Sequence, residues 1–209
     1  MSLGARVRAM LGPHEHAVAN FYRAIFVDLE DYRAKIRKWV PDATSILEIG
    51  CGEGAVTELL AEIYPEARIT AIDITPRAGR LYRGRHDGVE FLNATIQDVA
   101  RHRPAAFDLV LISDVVHHIP DVLRAEVLQA ARSAIAPGGH LIFKDWAKSP
   151  SPIHWLCYAS DRWITGDRVA YLTGAEAREI VSRQMPGLRL VTEGRVAPWS
   201  NNVAFLYAA

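Results

Sequence analysis

A doubly wound α/β fold, with a mostly parallel sheet covered by helices on both faces, is what this 209-residue sequence predicts. Three observations carry that reading. Short apolar runs at 45–49, 68–74 and 108–113 have the length and composition of buried strands. Amphipathic segments at helical spacing lie between such runs and end at proline or glycine. The alternation continues along the chain without an internal repeat, low-complexity tract or interdomain linker, which argues for one domain.

Taken in order, Phe21, Ile25, Leu29, Tyr32, Ile36 and Val40 recur at steps of three or four. Residues 15–40 are therefore helical, as one long helix or two shorter ones, between Pro13 and Pro41. The first strand is 45–49. A helix over 55–64 places Val56, Leu59, Leu60 and Ile63 on one face and stops at Pro65. Strands follow at 68–74, 89–93 and 108–113. A helix over 121–135 ends at Pro137-Gly138-Gly139, and a fifth strand occupies 140–145. Thr173 with Glu176 forms a capping box for a helix running to about Gln184. Two final strands, 188–196 and 202–207, read as a hairpin.

Bulk composition narrows the functional classes. Half of the residues are apolar, enough for a sizeable core, and 24 basic side chains balance 24 acidic ones. A nucleic-acid partner is disfavoured, because phosphate neutralisation calls for a basic excess that is missing here. The arginine-rich stretch 77–85 reads as a solvated loop or short helix. Two cysteines, Cys51 and Cys157, are too few for a disulfide framework and suggest a reducing compartment. No signal-peptide core or membrane-length apolar run is visible, so a cytoplasmic location is expected.

The chemistry concentrates in Glu48-Ile49-Gly50-Cys51-Gly52-Glu53-Gly54, where a strand ends, glycines alternate and a helix begins. Glycine lets the backbone turn tightly and approach a ligand, while the helix start offers unpaired N–H groups to it. A ligand-free turn is one reading. A nicotinamide dinucleotide site is another, since Gly50, Gly52 and Ala55 fit the loose G-x-G-x-x-G/A pattern and Asp73 ends the second strand. No Tyr-x-x-x-Lys pair on a helix supports a reductase, however.

The surroundings separate these readings. Glu48 stands two residues before the first glycine, 107–119 runs Phe-Asp-Leu-Val-Leu-Ile-Ser-Asp-Val-Val-His-His-Ile, and 136–142 runs Ala-Pro-Gly-Gly-His-Leu-Ile. In this order and spacing, over roughly 44–145, the elements resemble the class I S-adenosylmethionine-dependent methyltransferase family, small-molecule type. The resemblance implies a seven-stranded Rossmann-like sheet with an antiparallel last strand, preceded by an N-terminal helical lid. It divides the chain into a lid (1–43), a cofactor-binding core (44–145), an aromatic cap insertion (146–172) and a C-terminal helix with a strand pair (173–209). The implied cofactor is S-adenosyl-L-methionine. Gly50, Cys51 and Gly52 would approach its methionine portion through their backbone, above Glu48, which would hold the loop or the ammonium. Asp73 would accept hydrogen bonds from the ribose and Ile74 would lie against the adenine. Thr95 and Ile96 fall at the adenine edge, with Asp98 as the substitute after a small register shift. Ser113 and Asp114 fall at the methionine end. Cys51 reads as a small residue in a crowded turn and not as a nucleophile.

Methyl transfer is an in-line displacement, for which positioning supplies roughly 7–11 kcal/mol of barrier lowering. His117 and His118 follow the fourth strand at the rim where ligands bind in such sheets, and an imidazole can take a hydroxyl proton near neutrality. The alternative for the pair is packing under the cofactor and capping of the next turn. Asp145, beside Lys144, is a further catalytic candidate, or else holds a loop. His14-x-His16 offers two lone ligands, too few for a metal site, so no metal is expected. Trp146, Trp155, Tyr158, Trp163 and Tyr171 form either the core of a helical cap or the wall of an acceptor pocket. The expected partner is a small hydrophobic or phenolic metabolite methylated on oxygen, with no nucleic acid and no membrane span. N- or C-methylation and a catalytically inactive cofactor-binding regulator are the alternatives, and the oligomeric state is not specified.

Overall fold

Strand β1 (Ser45–Ile49) buries four of its five residues because it has neighbours on both edges and helices on both faces. In a computed structural model of the chain, which describes residues 15–166 and 168–209, β1 pairs in parallel with β2 (Arg68–Asp73) and β4 (Phe107–Ser113). Strand β3 (Val89–Asn93) lies outside β2, and β5 (Ile135–Trp146) outside β4, again in parallel. Strand β7 (Asn202–Ala208) runs antiparallel to both β5 and β6 (Arg189–Arg195). The seven strands follow the order β3-β2-β1-β4-β5-β7-β6. The predicted mostly parallel, seven-stranded sheet with an antiparallel last strand is therefore present.

Side chains alternate across the sheet as the two-residue period requires. Leu47, Val110 and Ile112 enter one core, while Ile46, Leu109 and Leu111 enter the other. The first core is completed by α4 (Ile96–His102), α5 (Asp121–Ala134) and α7 (Gly174–Gln184). The second is completed by α2 (Leu29–Trp39) and α3 (Ala55–Ile63).

The N-terminal helical stretch is two helices. Helix α1 (Glu15–Phe26) ends before Asp28, whose carboxylate accepts from the backbone N–H of Glu30 and Asp31 and so starts α2. The junction is docked on the loop between β6 and β7: Asp28 donates its N–H to Ala197 O at 2.7 Å, and the Trp199 indole donates to Ile25 O at 2.5 Å. The C-terminal capping box forms as expected, with Thr173 and Glu176 bonded reciprocally. His14 of the His14-x-His16 pair lies outside the described residues.

Three differences from the sequence reading bear on the site. Helix α4 escapes detection because seven residues hold too few turns to display a period. Strand β5 begins at Ile135 and not at 140, with a register shift opposite Phe107 and Leu109. The stretch 77–85 is no free solvated loop. Gly79 donates its N–H to Gly52 O at 2.9 Å and Leu81 to Glu53 O at 3.1 Å, while Arg80 pairs with Glu53. Among the described residues, no helix is long and apolar enough to cross a membrane.

Candidate active site

The loop after β1 folds back on the sheet through its own backbone. Gly50 and Cys51 both donate to Ile72 O, at 2.8 and 3.0 Å, and Gly52 donates to Asp73 Oδ2 at 2.7 Å. Gly50 sits at φ +75°, and an added Cβ would lie 2.3 Å from a methyl of Val115. Gly52, at φ +51°, differs: an added Cβ there would meet nothing within 4 Å. One glycine is required by packing, and the next keeps an open face beside the end of the sheet. Helix α3 then starts at Gly54, with no side chain capping its first N–H groups.

Asp73 is the hub of this half of the site. Besides Gly52, it accepts from the Thr75 N–H at 2.9 Å. A carboxylate offers about four acceptor positions, so two backbone bonds leave capacity for ribose hydroxyls. Ile74, next to it, is 79% exposed, a bare apolar surface at a strand end. Glu48 lies under the loop, buried, with the Thr57 hydroxyl donating to Oε2 at 2.6 Å. Burial raises its pKa most, the Thr57 bond opposes this and the charge of Asp73 adds to it, leaving Glu48 pushed up to about 7. Cys51 is buried and its thiol is raised by burial and then by Glu48 and Asp73, which suits a packed residue and not a nucleophile.

At the other expected adenine contact, Thr95 is the N-cap of α4. Its Oγ1 accepts from the Asp98 N–H at 3.2 Å and donates to Asp98 Oδ2 at 2.7 Å. The two residues weighed against each other are thus one hydrogen-bonded unit. The Ile96 side chain is buried in the core beneath them, so any ligand contact there falls to its backbone.

The ends of β4 and β5 carry the second cluster. Ser113 Oγ lies 2.5 Å from the Tyr32 hydroxyl, so α2 reaches the strand end. Asp114 adopts φ +57° and receives the buried Lys144 ammonium at 2.5 Å. Lys144 is accordingly a partner that holds the loop after β4. Asp145 is buried and accepts from three donors: His117 Nδ1, the His117 N–H at 3.2 Å and the Trp146 N–H at 2.9 Å. Burial alone would lower the His117 pKa, but the charge and hydrogen bond of Asp145 together raise it. Burial would raise the Asp145 pKa, yet His117 and the Trp146 N–H together lower it. His118 is exposed, its ring 4.1 Å from that of His117.

The segment after β5 closes over this rim as α6 (Pro152–Ala159) and a π-helical turn (Ser160–Thr165). Its aromatics divide by position. Trp146 is buried, meeting Phe26 of α1 edge-on at 5.7 Å and donating from Nε1 to His154 at 3.1 Å. Tyr171 stacks on His117 at 4.8 Å and donates its hydroxyl to Asp161. Trp155, Tyr158 and Trp163 are exposed. Asp161 is not legible in the sequence: an isolated acid among aromatics carries no spacing signal, and only the fold brings it to the histidines.

Residues 47–141 match a family model described as a methyltransferase domain. A trans-aconitate 2-methyltransferase of Streptomyces avermitilis is 33% identical over 147 residues, covering 67% of this chain and 53% of that protein. A ubiquinone biosynthesis O-methyltransferase of Xanthomonas campestris pv. campestris is 30% identical over 110 residues, covering 51% of this chain and 44% of the relative. The chain thus spans about half the length of these curated relatives. An N-methyltransferase from Bradyrhizobium japonicum, solved with S-adenosyl-L-homocysteine, superposes with a TM-score of 0.62 at 22% identity, covering 86% of each chain. That likeness concerns the fold.

Proposed function

We propose that this chain, whose residues 47–141 match the methyltransferase-domain model, is a class I S-adenosylmethionine-dependent methyltransferase that methylates an oxygen of a small hydrophobic or phenolic acceptor. The observation that carries the donor half is Asp73, fixed at the end of β2 by the Gly52 and Thr75 N–H groups beside the bare side chain of Ile74. A ribose fits the carboxylate, an adenine face fits Ile74, and the open side of Gly52 leaves room for the chain between sugar and methionine. These residues fit S-adenosylmethionine: Glu48 would hold the loop or the ammonium, and Ser113 and Asp114 would hold the methionine end. The adenine edge falls to Thr95 and the backbone of Ile96, with Asp98 held against Thr95. A bound donor would supply an electrophilic methyl group, with a neutral thioether as the leaving group and the acceptor oxygen as the nucleophile.

The chain's own contribution is alignment and activation of the acceptor. The imidazole of His117, held by Asp145, or that of His118 takes the hydroxyl proton of the acceptor. Helices α1 and α2 act as the lid and α6 with the π-turn as the cap, excluding water from one side. The names of the two curated relatives, one acting in ubiquinone biosynthesis and one on trans-aconitate, support a small acceptor. The test is calorimetric titration with S-adenosylhomocysteine and with nicotinamide dinucleotides, followed by transfer from labelled donor to phenols, acids and amines. Binding of the former and turnover of phenols are expected. Tight dinucleotide binding with no response to S-adenosylhomocysteine would sink the reading, and exclusive turnover of amines would move the accepting atom to nitrogen.

A further inference from the structure

We propose that His117, His118 and Asp161 hold a divalent metal ion at the acceptor rim. The three residues come from two segments distant in sequence. Both histidines lie in the short 3-10 turn after β4, and Asp161 lies in the π-helical turn after α6. Each offers one ligand atom, and these atoms all lie within 4.8 Å of one another. Metal–nitrogen and metal–oxygen bonds of about 2.1 Å bring ligand atoms to roughly 3–4 Å, so closure needs a shift of about 1 Å. His118 is the exposed member of the three. A π-helical turn is itself rare and recurs at functional sites, because its wider winding re-aims a side chain.

Proximity alone would be weak evidence, since acids and histidines often cluster without an ion. What sets this cluster apart is the support behind two of its members. His117 Nδ1 is engaged by the buried carboxylate of Asp145, which leaves Nε2 as the nitrogen for a further partner and fixes the ring plane. Tyr171 stacks on that ring and donates its hydroxyl to Asp161 Oδ2. A carboxylate behind a ligating histidine and a hydrogen bond behind a ligating carboxylate are the supports that metal sites use to orient ligands.

Two imidazoles and one carboxylate suit a divalent cation such as zinc, iron(II) or manganese, and three protein ligands leave coordination positions open. The sequence offered no spacing signal for this, because the third ligand arrives from the cap. The consequence for catalysis rests on the methyltransferase reading. An acceptor hydroxyl bound at an open position ionises more readily, giving its proton to water, and its oxygen is held at a fixed place. The imidazoles would then activate the acceptor as ligands.

The test uses the full chain, stripped with a chelator and titrated calorimetrically with Zn2+ and Mn2+, and spectroscopically with Co2+. One cation per chain is expected, with visible Co2+ bands from nitrogen and oxygen ligands. Asp161→Asn and His118→Gln should each weaken binding by ten- to a hundredfold, and Tyr171→Phe by about tenfold through the loss of ligand support. His118 is exposed, so its variant keeps the test valid should Asp161→Asn fail to fold. Absence of stoichiometric binding, or affinities unchanged in both ligand variants, would overturn the proposal. S-adenosylhomocysteine titration in parallel separates the two ideas. Nucleoside binding without metal binding defeats the metal site alone, whereas metal binding without nucleoside binding defeats the methyltransferase reading alone.

Discussion

The two halves of the proposed site are built by different means. The donor half, around the ends of β1 and β2, is mostly backbone: the N–H groups of Gly50, Cys51 and Gly52 are spent on Ile72 and Asp73, all within about one βαβ unit. The acceptor half, around the ends of β4 and β5, is mostly side chain: Asp145, His117, Tyr171 and Asp161 meet from three separate segments. Backbone chemistry demands particular residues at fixed spacing, above all glycine. Side-chain chemistry demands only that a suitable group arrive, from wherever the fold can deliver it.

The largest expected effect breaks the donor half at a single atom. Gly50→Ala places a methyl 2.3 Å from Val115 at φ +75°, so overpacking and left-handed strain add. Each costs roughly 1–3 kcal/mol. S-adenosylhomocysteine affinity should fall more than a hundredfold, with a lower melting temperature. Gly52→Ala meets no neighbour within the protein and carries only the strain at φ +51°, so its melting temperature should fall less than that of Gly50→Ala, while the added methyl takes space from the bound donor. Equal losses of melting temperature in the two variants would show that packing against Val115 is not what fixes the loop.

That contrast also explains what could be read from the sequence. Gly50 and Gly52, Asp73 at a strand end and the apolar strands were legible because local spacing and period encode them. The boundaries of α3, β3 and α7 came out within a residue for the same reason. Helix α4 was missed because seven residues display no period. Thr57 behind Glu48, Tyr32 beside Ser113 and Asp161 beside the histidines were invisible because each depends on tertiary approach alone. The loop 77–85 looked solvated from its arginines, whereas its N–H groups and Arg80 brace the glycine loop.

Next in size is Asp73→Ala. A charged acceptor to a ribose hydroxyl contributes roughly 1.5–3 kcal/mol, so cofactor affinity should drop by about ten- to a hundredfold. Asp73→Asn keeps one acceptor oxygen for Gly52 and should fall between wild type and alanine. An unchanged dissociation constant in Asp73→Ala would place the ribose contact elsewhere.

Glu48 gives a smaller, pH-dependent effect that belongs to the donor half alone. Its folded pKa, about 7, lies above its ordinary carboxylate value. The native state therefore holds more protons than the unfolded state between the two values. Stability is fully present below the unfolded pKa and declines as pH rises through about 7. A cationic ammonium placed against Glu48 should reverse part of the shift and expel the proton. Binding of S-adenosylhomocysteine near pH 6 should release up to one proton, read as a dependence of calorimetric heat on buffer ionisation enthalpy. Glu48→Gln should abolish that release and flatten the decline of melting temperature with pH. Proton release unchanged in Glu48→Gln would assign it to another group.

The smallest expected effect on stability falls in the acceptor half, and it asks whether the cap selects the acceptor. Trp155 and Trp163 are 65% and 72% exposed, while Trp146 of the same segment is buried against Phe26 and His154. A tryptophan that served the core of the cap would resemble Trp146, and its removal would cost about 3–5 kcal/mol. The two exposed rings have no such burden, so Trp155→Ala and Trp163→Ala should each change stability by no more than about 0.5 kcal/mol. Large flat apolar rings left bare on the cap suit an aromatic or acyl acceptor, which would cover them on binding. Each variant should therefore lower kcat/KM about three- to tenfold, mainly through KM, while S-adenosylhomocysteine affinity stays unchanged. Melting curves and binding isotherms measured beside turnover separate the outcomes. Normal turnover of the true acceptor in both variants would remove these rings from the pocket and confine recognition to the polar rim of His117, His118 and Asp161.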